Sequence, residues 1–515
     1  MNKQPELNIE EKLAPQEVSI TPYSKTFLAE VGIEPATLKL ITPKWKRSQY
    51  RAVINWMTKY QPQPDSPKLE QLRGYLEAFY HLCAVDAWEK AANLIKIGVA
   101  VTTWTAPLNN SEDIYLDEAL HSQLGNFGYY REQIDLCSEI LGKVNHQIDD
   151  ICLNSLGLAH CDLGNYQKAI ECHQQQLAIA PEPESQKTAL TNLGNIYGLL
   201  GQYQVAIELY QEALAISNTI SHEQNQGKLL GNLGVIYRLQ GNYEQAIEYH
   251  RQHWEIAHKI GDRKGIANAL GNLGIVYYFL KDYHKAAENM QGSLSITMEL
   301  GNRRNEASML GSLGNVYFAL QDNSLAWDLY QQQLELSREI GYLEGEKAAL
   351  GNLGVVCNST GQYETAIQYY KRGLASARNI GDRQGESYAL SNLGNTYTCL
   401  EQYETAIEYH KQSLGIAAEI GDKWAAGAAI HNLSDAYRLM KQFDLAVLLG
   451  MRSLYIFACI QSPEVETAMM TLSKIALEIG IDEYAELIEE QLQVIEPEED
   501  GEHAVAGLRK LLFDN

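Results

Sequence analysis

The chain has 515 residues, 45% of them hydrophobic and 21% charged, with a formal net charge of −24. This is the composition of a folded globular protein, and no apolar run approaches the roughly 18 residues of a membrane span. The acidity speaks against nucleic acid, whose binding rests on Lys and Arg neutralising phosphates; it permits a basic partner, although an acidic solvated surface is the simpler reading.

At the N-terminus, residues 1–16 mix Lys, Glu and Pro without the apolar core of a secretory signal, so a cytoplasmic location is expected. Residues 1–30 are expected to be poorly ordered, and residues 31–65 to form capping helices. That second segment carries Lys39, Lys44, Lys46, Arg47, Arg51 and Lys59. They make either a basic docking site or the solvated face of a cap, and the cap is expected. Two divergent helical hairpins are expected over 66–147. Leu76 to Cys83 and Ala87 to Ile95 read as the first, and Gly128 to Asp135 matches Gly164 to Glu171 at an offset of 36 residues.

From 148 to 462 the sequence repeats itself eight times. A glycine follows leucine at Gly194, Gly234, Gly274, Gly314, Gly354 and Gly394, each 40 residues after the last. Gly157 precedes the series and Ser434 takes the next slot. An aromatic recurs at Tyr166, Tyr203, Tyr243, Tyr283, Tyr363, Tyr403 and Phe443, with alanine three residues on, as at Ala206 and Ala246. Leu230, Leu233 and Tyr237 fall at helical spacing, as do Tyr243, Ala246, Ile247 and His250, and Gly241 with Asn242 breaks the chain between them. Each unit therefore reads as two helices, with Gly234 and Ala246 placed where they approach closely. The second helix stops at Gly261, Gly301, Gly341, Gly381 or Gly421, since glycine takes the left-handed conformation at low cost. Asp262, Asn302, Asp382 and Asp422 follow as caps for the next helix. Tyr342 interrupts that series, and its junction is expected to be less well capped. After Ser462 a last hairpin is expected over 463–495. Residues 496–515 then read as an acidic linker and a short amphipathic helix, which either folds back over the last apolar face, as expected, or serves as a docking tail.

Candidates for chemistry give way to packing. His173, His250 and His410 align with Tyr210, Tyr330 and Tyr370, an aromatic slot rather than a metal site. His160, Cys161, Cys172 and His173 lack a zinc spacing. None of the eight cysteines forms a C-x-x-C pair, and reduced, mostly buried thiols are expected. The GNLG phrases follow no strand and are not phosphate loops. No catalytic motif appears, and the helical units over 66–495 leave no room for a separate catalytic domain, so neither enzyme activity nor a cofactor is expected.

Leu233-Gly234, Asn242-Tyr243, Ala246-Ile247 and Gly261-Asp262 resemble the tetratricopeptide repeat family in its long form, especially the Leu-Gly-Asn repeats of Pins/LGN-type and cyanobacterial regulatory proteins. The resemblance covers about three fifths of the chain. It implies an all-α, right-handed superhelical solenoid of antiparallel helix hairpins, with first helices lining a concave groove that holds a peptide or helix of a partner protein. It also implies an asparagine ladder. One row is Asn192, Asn232, Asn272, Asn352, Asn392 and Asn432, and a second is Asn195, Asn315 and Asn395, continued by Asp435. A carboxamide donates and accepts, so such a row can hold a peptide backbone whatever its side chains; the alternative is that it bridges neighbouring helices internally. Lys228, Asn268, Arg238, Tyr278 and Arg438 are candidates for selectivity. Glycines at 231, 271, 311 and 351 stand where the chaperone-binding branch of the family has a carboxylate-clamping lysine, so Hsp70 and Hsp90 tails are poor candidate ligands. A peptide-responsive switch resembling Rap-type regulators, with the N-terminal helices as effector surface, is the second functional expectation.

Overall fold

A glycine in every repeated first helix but the eighth, which carries Ser434, sets how close its partner helix lies. A Cβ on Gly194, Gly314 or Gly354 would meet the ring of Tyr210, Tyr330 or Tyr370 within 2.4–2.7 Å, and on Gly157, Gly234 or Gly394 the ring of His173, His250 or His410 within 2.4–2.5 Å. The ring of the second helix thus fills the space where the first helix has no side chain. This produces the repeated hairpin, and it explains why histidine and tyrosine share one slot, which Met290 takes opposite Gly274.

The computed structural model describes residues 28–63, 66–96, 98–99, 118–126, 128–180, 182–220, 223–496 and 501–513. A 3₁₀ helix, Pro35–Leu40, leads into α1 (Lys44–Lys59), α2 (Lys68–Cys83) and α3 (Trp88–Lys96). Strands β1 (Gly98–Val99) and β2 (Glu118–Ala119) pair antiparallel, and α4 (Leu120–Asn126) and α5 (Tyr130–Ile140) follow. The repeated hairpins are α6/α7 (His146–Asp162, Tyr166–Ile179), α8/α9 (Pro183–Leu199, Tyr203–Thr219), α10/α11 (Glu223–Leu239, Tyr243–Ile260), α12/α13 (Arg263–Phe279, Tyr283–Glu299), α14/α15 (Arg303–Ala319, Asn323–Glu339), α16/α17 (Leu343–Ser359, Tyr363–Ile380), α18/α19 (Arg383–Cys399, Tyr403–Ile420) and α20/α21 (Lys423–Leu439, Phe443–Cys459). The chain ends in α22 (Val465–Ile479), α23 (Ile481–Ile495) and α24 (Gly501–Phe513). This is the all-α repeat architecture, with one minimal strand pairing that the sequence did not announce. Of the N-terminal segment expected to be poorly ordered, residues 1–27 lie outside the described residues, while Leu28 is buried.

Two compact units divide the chain, residues 1–256 and 257–515. In the first, Val53, Met57, Leu72, Phe79, Leu94, Leu124 and Leu136 make one core under the N-terminal helices, and Ala206, Tyr210, Leu229 and Leu233 make another between hairpins. In the second, successive hairpins bury Ala286, Leu310, Leu313 and Leu336, and then Tyr370, Leu390 and Leu393. Its C-terminal end is closed by α24, whose fully buried Leu508 packs in the cluster of Met451, Leu472, Ile488 and Leu492. Arg509 adds a bidentate pair to Glu489 at 2.9 and 2.7 Å. The short helix folds back over the last apolar face.

Capping follows the residues. Asp262, Asn302, Asp382 and Asp422 accept the backbone N–H of Gly265, Asn305, Gly385 and Ala425 at 2.9, 3.1, 2.8 and 2.9 Å. Tyr342 makes no such bond, and its ring instead lies under the Arg304 guanidinium at 4.5 Å. Asn302→Ala should therefore lower stability by about 1 kcal/mol in urea titration, because the α14 terminus loses its only side-chain cap. Arg303 reaches Glu339 of the next helix at 2.8 Å, and Arg263–Glu299 and Arg383–Glu419 repeat that pair. These exposed pairs add little to stability. All eight cysteines are free thiols; Cys83, Cys137, Cys152 and Cys357 are buried, while Cys399 and Cys459 are exposed. Among the described residues no helix is long and apolar enough to cross a membrane.

Candidate functional site

The marker glycine points at the second helix, so residues just before and after it flank that contact. In the first unit these positions are largely occupied by the protein itself. Asn192 donates to Asn154 Oδ1 at 2.9 Å. Asn195 is exposed, yet its Oδ1 accepts the Tyr210 hydroxyl at 2.6 Å and the Asn232 amide at 3.4 Å. Lys228 is exposed beside them, and Arg238 is half-buried, which pulls its guanidinium below the ordinary value.

The second unit divides the ladder further. Asn268 is exposed, and Asn272 and Asn352 are half-buried. Tyr278 packs edge-on against Phe279 at 5.9 Å and beside Tyr283 at 5.7 Å. Asn315 Oδ1 accepts the Tyr330 hydroxyl at 2.7 Å, as Asn195 does from Tyr210. Arg438 is bound to Asp435 at 2.9 Å and also to Glu478, so neither the ladder's Asp435 nor the selectivity candidate Arg438 is a free group.

Asn392, Asn395 and Asn432 come together in one cavity of about 350 Å³ between α18 and α20. Tyr388 and Trp424 form its aromatic side, edge to face at 6.3 Å, and both are about 40% exposed. Gln384 fixes that side by donating to the Tyr388 hydroxyl and to Asp422, each at 3.2 Å. Burial, and then the Asp422 charge, raise the Tyr388 phenol above its ordinary value, so it stays a neutral donor. Asn432 donates to Ser391 Oγ at 3.4 Å. Asn395 differs from Asn195 and Asn315 in one respect: the residue 15 positions on is His410, which carries no hydroxyl to claim its oxygen. The carboxamide of Asn395 faces the cavity without a side-chain partner among the described residues.

Sequence reasoning missed Tyr388 and Trp424. Tyr388 stands in the slot of Lys228 and Asn268, two repeats' selectivity candidates, and was legible there. Trp424 stands where the earlier repeats have Gln384, Glu344, Arg304 and Lys264. An indole in a charged or polar slot was the signal. Among the described residues no group of three His, Cys, Asp or Glu is placed to hold a metal.

The comparisons agree with this architecture. No curated relative matches the chain. Among solved structures, a signal-transduction ATPase with numerous domains (STAND) bearing a tetratricopeptide repeat sensor, from Pyrococcus horikoshii, is 14% identical with a TM-score of 0.52; the match covers 83% of this chain and 65% of that one. The apo quorum sensor NprR from B. thuringiensis is 11% identical, with a TM-score of 0.49 over 76% of this chain and all 100% of that one. A Rap protein complexed with Competence and Sporulation Factor is 13% identical, with a TM-score of 0.46 over 76% of this chain and 99% of that one. At 14% identity the first of these is a likeness of fold alone. The family model described as tetratricopeptide repeat matches residues 149–219, 225–299, 305–379 and 386–457, more than half of the sequence. With its helix hairpins, ring-against-glycine packing and this match, the chain belongs to the tetratricopeptide repeat family.

Proposed function

We propose that the protein is an interaction scaffold that grips an extended segment of a partner polypeptide, and that its principal grip is the cavity of Asn392, Asn395 and Asn432. The observation that carries this reading is the free carboxamide of Asn395 beside an exposed aromatic pair. Asn395 and Asn392 supply donors and acceptors for a ligand's main chain, and Tyr388 and Trp424 take one of its apolar side chains. Asn195 and Asn315 are already bonded to their own tyrosines, so they serve the fold more than the ligand. Affinity thus comes from main-chain bonds and selectivity from the ring pair. The reading calls for no cofactor and no chemistry.

The test is affinity capture from the source cell's lysate with two sets of variants. Asn392→Ala, Asn395→Ala and Asn432→Ala together should weaken capture of a specific partner roughly 100-fold, at about 1 kcal/mol per lost bond. Asn195→Ala with Asn315→Ala should leave that partner bound while lowering the melting temperature. A partner retained equally by the cavity variant would refute the site.

A further inference from the structure

The three most exposed large apolar side chains among the described residues are Leu477 at 85%, Leu40 at 80% and Ile481 at 79%. Leu40 lies on the 3₁₀ helix that leads into α1, Leu477 on α22 and Ile481 on α23, and the residues flanking them in sequence carry charge of opposite sign. From Glu34 to Asp65 there is no acidic residue, while Lys39, Lys44, Lys46, Arg47, Arg51 and Lys59 supply six cations. On α1 the exposed Lys44, Arg51 and Lys59 recur at helical spacing, opposite the buried Val53 and Met57. Trp45, 56% exposed, lies beside them. Between Lys474 and Arg509 the reverse holds, with no Lys or Arg at all. Asp482, Glu483, Glu486 and Glu490 are exposed on α23, whose other face buries Ile488, Leu492 and Ile495. Two nearby carboxylates are neutralised internally, Glu478 by Arg438 and Glu489 by Arg509. These four carboxylates and the α1 cations take no part in an ion pair among the described residues.

We propose that these two faces recognise each other between copies of the chain, the basic face of one molecule docking on the acidic face of the next. Both ends present exposed apolar side chains, Leu40 and Trp45 or Leu477 and Ile481, along with charges of opposite sign that are unpaired among the described residues. Apolar contact and complementary charge are the two components such an interface needs. In a chain of net charge −24, the α1 face is a place where a second copy approaches without repulsion, since charges beyond about 10 Å are screened at ordinary ionic strength. Because the two faces differ, the contact is head-to-tail. It leaves one free face at each end and continues into a chain of copies or a closed ring.

Sedimentation velocity of the full-length protein across a wide range of concentrations, at low and high salt, tests this. The expected result is a mass that exceeds the monomer, rises with concentration and falls with salt. Lys44→Glu with Arg51→Glu, or Glu483→Lys with Glu486→Lys, should each weaken association at least ~100-fold by opposing like charges. All four changes on one chain should restore it, which also shows that the reversed chains fold. A monomer at every concentration in low salt overturns the proposal. So does association that neither reversal affects, or an α1 face that binds anionic phospholipid vesicles while the protein stays monomeric.

Discussion

Gly314→Ala should cost about 2–4 kcal/mol of stability. Its Cβ would sit 2.4 Å from the Tyr330 ring, and that ring is 2% exposed with its hydroxyl bound to Asn315. The ring cannot turn away without breaking the bond, and the helices cannot part without opening the cluster of Ala326, Leu350 and Leu353. Overpacking of this kind costs about 1–3 kcal/mol, and the lost hydrogen bond adds to it. The eighth hairpin shows what relieves the clash. There Ser434 replaces the glycine, and Gly450 stands in the ring slot; Ser434 Oγ donates to Ala446 O at 2.7 Å. Gly394→Ser should likewise be strongly destabilising alone, and adding His410→Gly should recover part of the loss, a non-additive pair measurable by thermal melts of the four combinations. Additive losses would show that the ring and the glycine do not oppose each other as described.

That exchange marks where sequence reading succeeded and where it stopped. The 40-residue period, the glycine stops and the missing cap at Tyr342 were visible because each depends on one residue type in one slot. The Ser434/Gly450 compensation was not, because it appears only when two slots 16 residues apart are compared, and Ser434 alone looks like a decayed repeat. The asparagine rows show the same limit. Asn195, Asn315 and Asn395 are equivalent in sequence, and what separates them is the residue 15 positions later: tyrosine in the first two, histidine in the third. A linear reading assigned His410 to packing, rightly, without asking what the absent hydroxyl leaves free. The cavity's aromatic side needed two residues from adjacent first helices, Tyr388 and Trp424, whose proximity depends on how the hairpins stack. The end faces fall between these cases. Their charge was legible, but Leu40, Leu477 and Ile481 looked like ordinary helix residues until their exposure was known.

Acid should destabilise both units well above the pH at which carboxylates titrate. His250 and His410 are fully buried, and neither ring nitrogen has a hydrogen-bond partner among the described residues. Burial lowers the His410 imidazole to about 4, and burial with the neighbouring His253 and Arg238 charges lowers that of His250 to about 3. Unfolded, each returns to roughly 6.5. The unfolded chain therefore binds the extra protons, and stability is lost as pH falls below about 6.5, levelling only near the folded values. At pH 5 each of the two costs about 2 kcal/mol, on the linkage of ~1.4 kcal/mol per pH unit. Thermal melts at pH 7 and pH 5 should show this loss, and His410→Tyr should remove one share of it. That substitution has a second consequence. A phenol at position 410 stands 15 residues after Asn395, the separation at which Tyr210 and Tyr330 bond Asn195 and Asn315 at 2.6 and 2.7 Å. It should stabilise the seventh hairpin at pH 7 and at the same time claim the Asn395 carboxamide, so the variant should be more stable and capture its partner less well. An equal pH 5 loss in wild type and His410→Tyr would remove His410 from the acid response. Undiminished capture by a stabilised His410→Tyr would remove Asn395 from the grip. On the proposed reading, the histidine in this slot trades acid tolerance and one hydrogen bond for an open binding position.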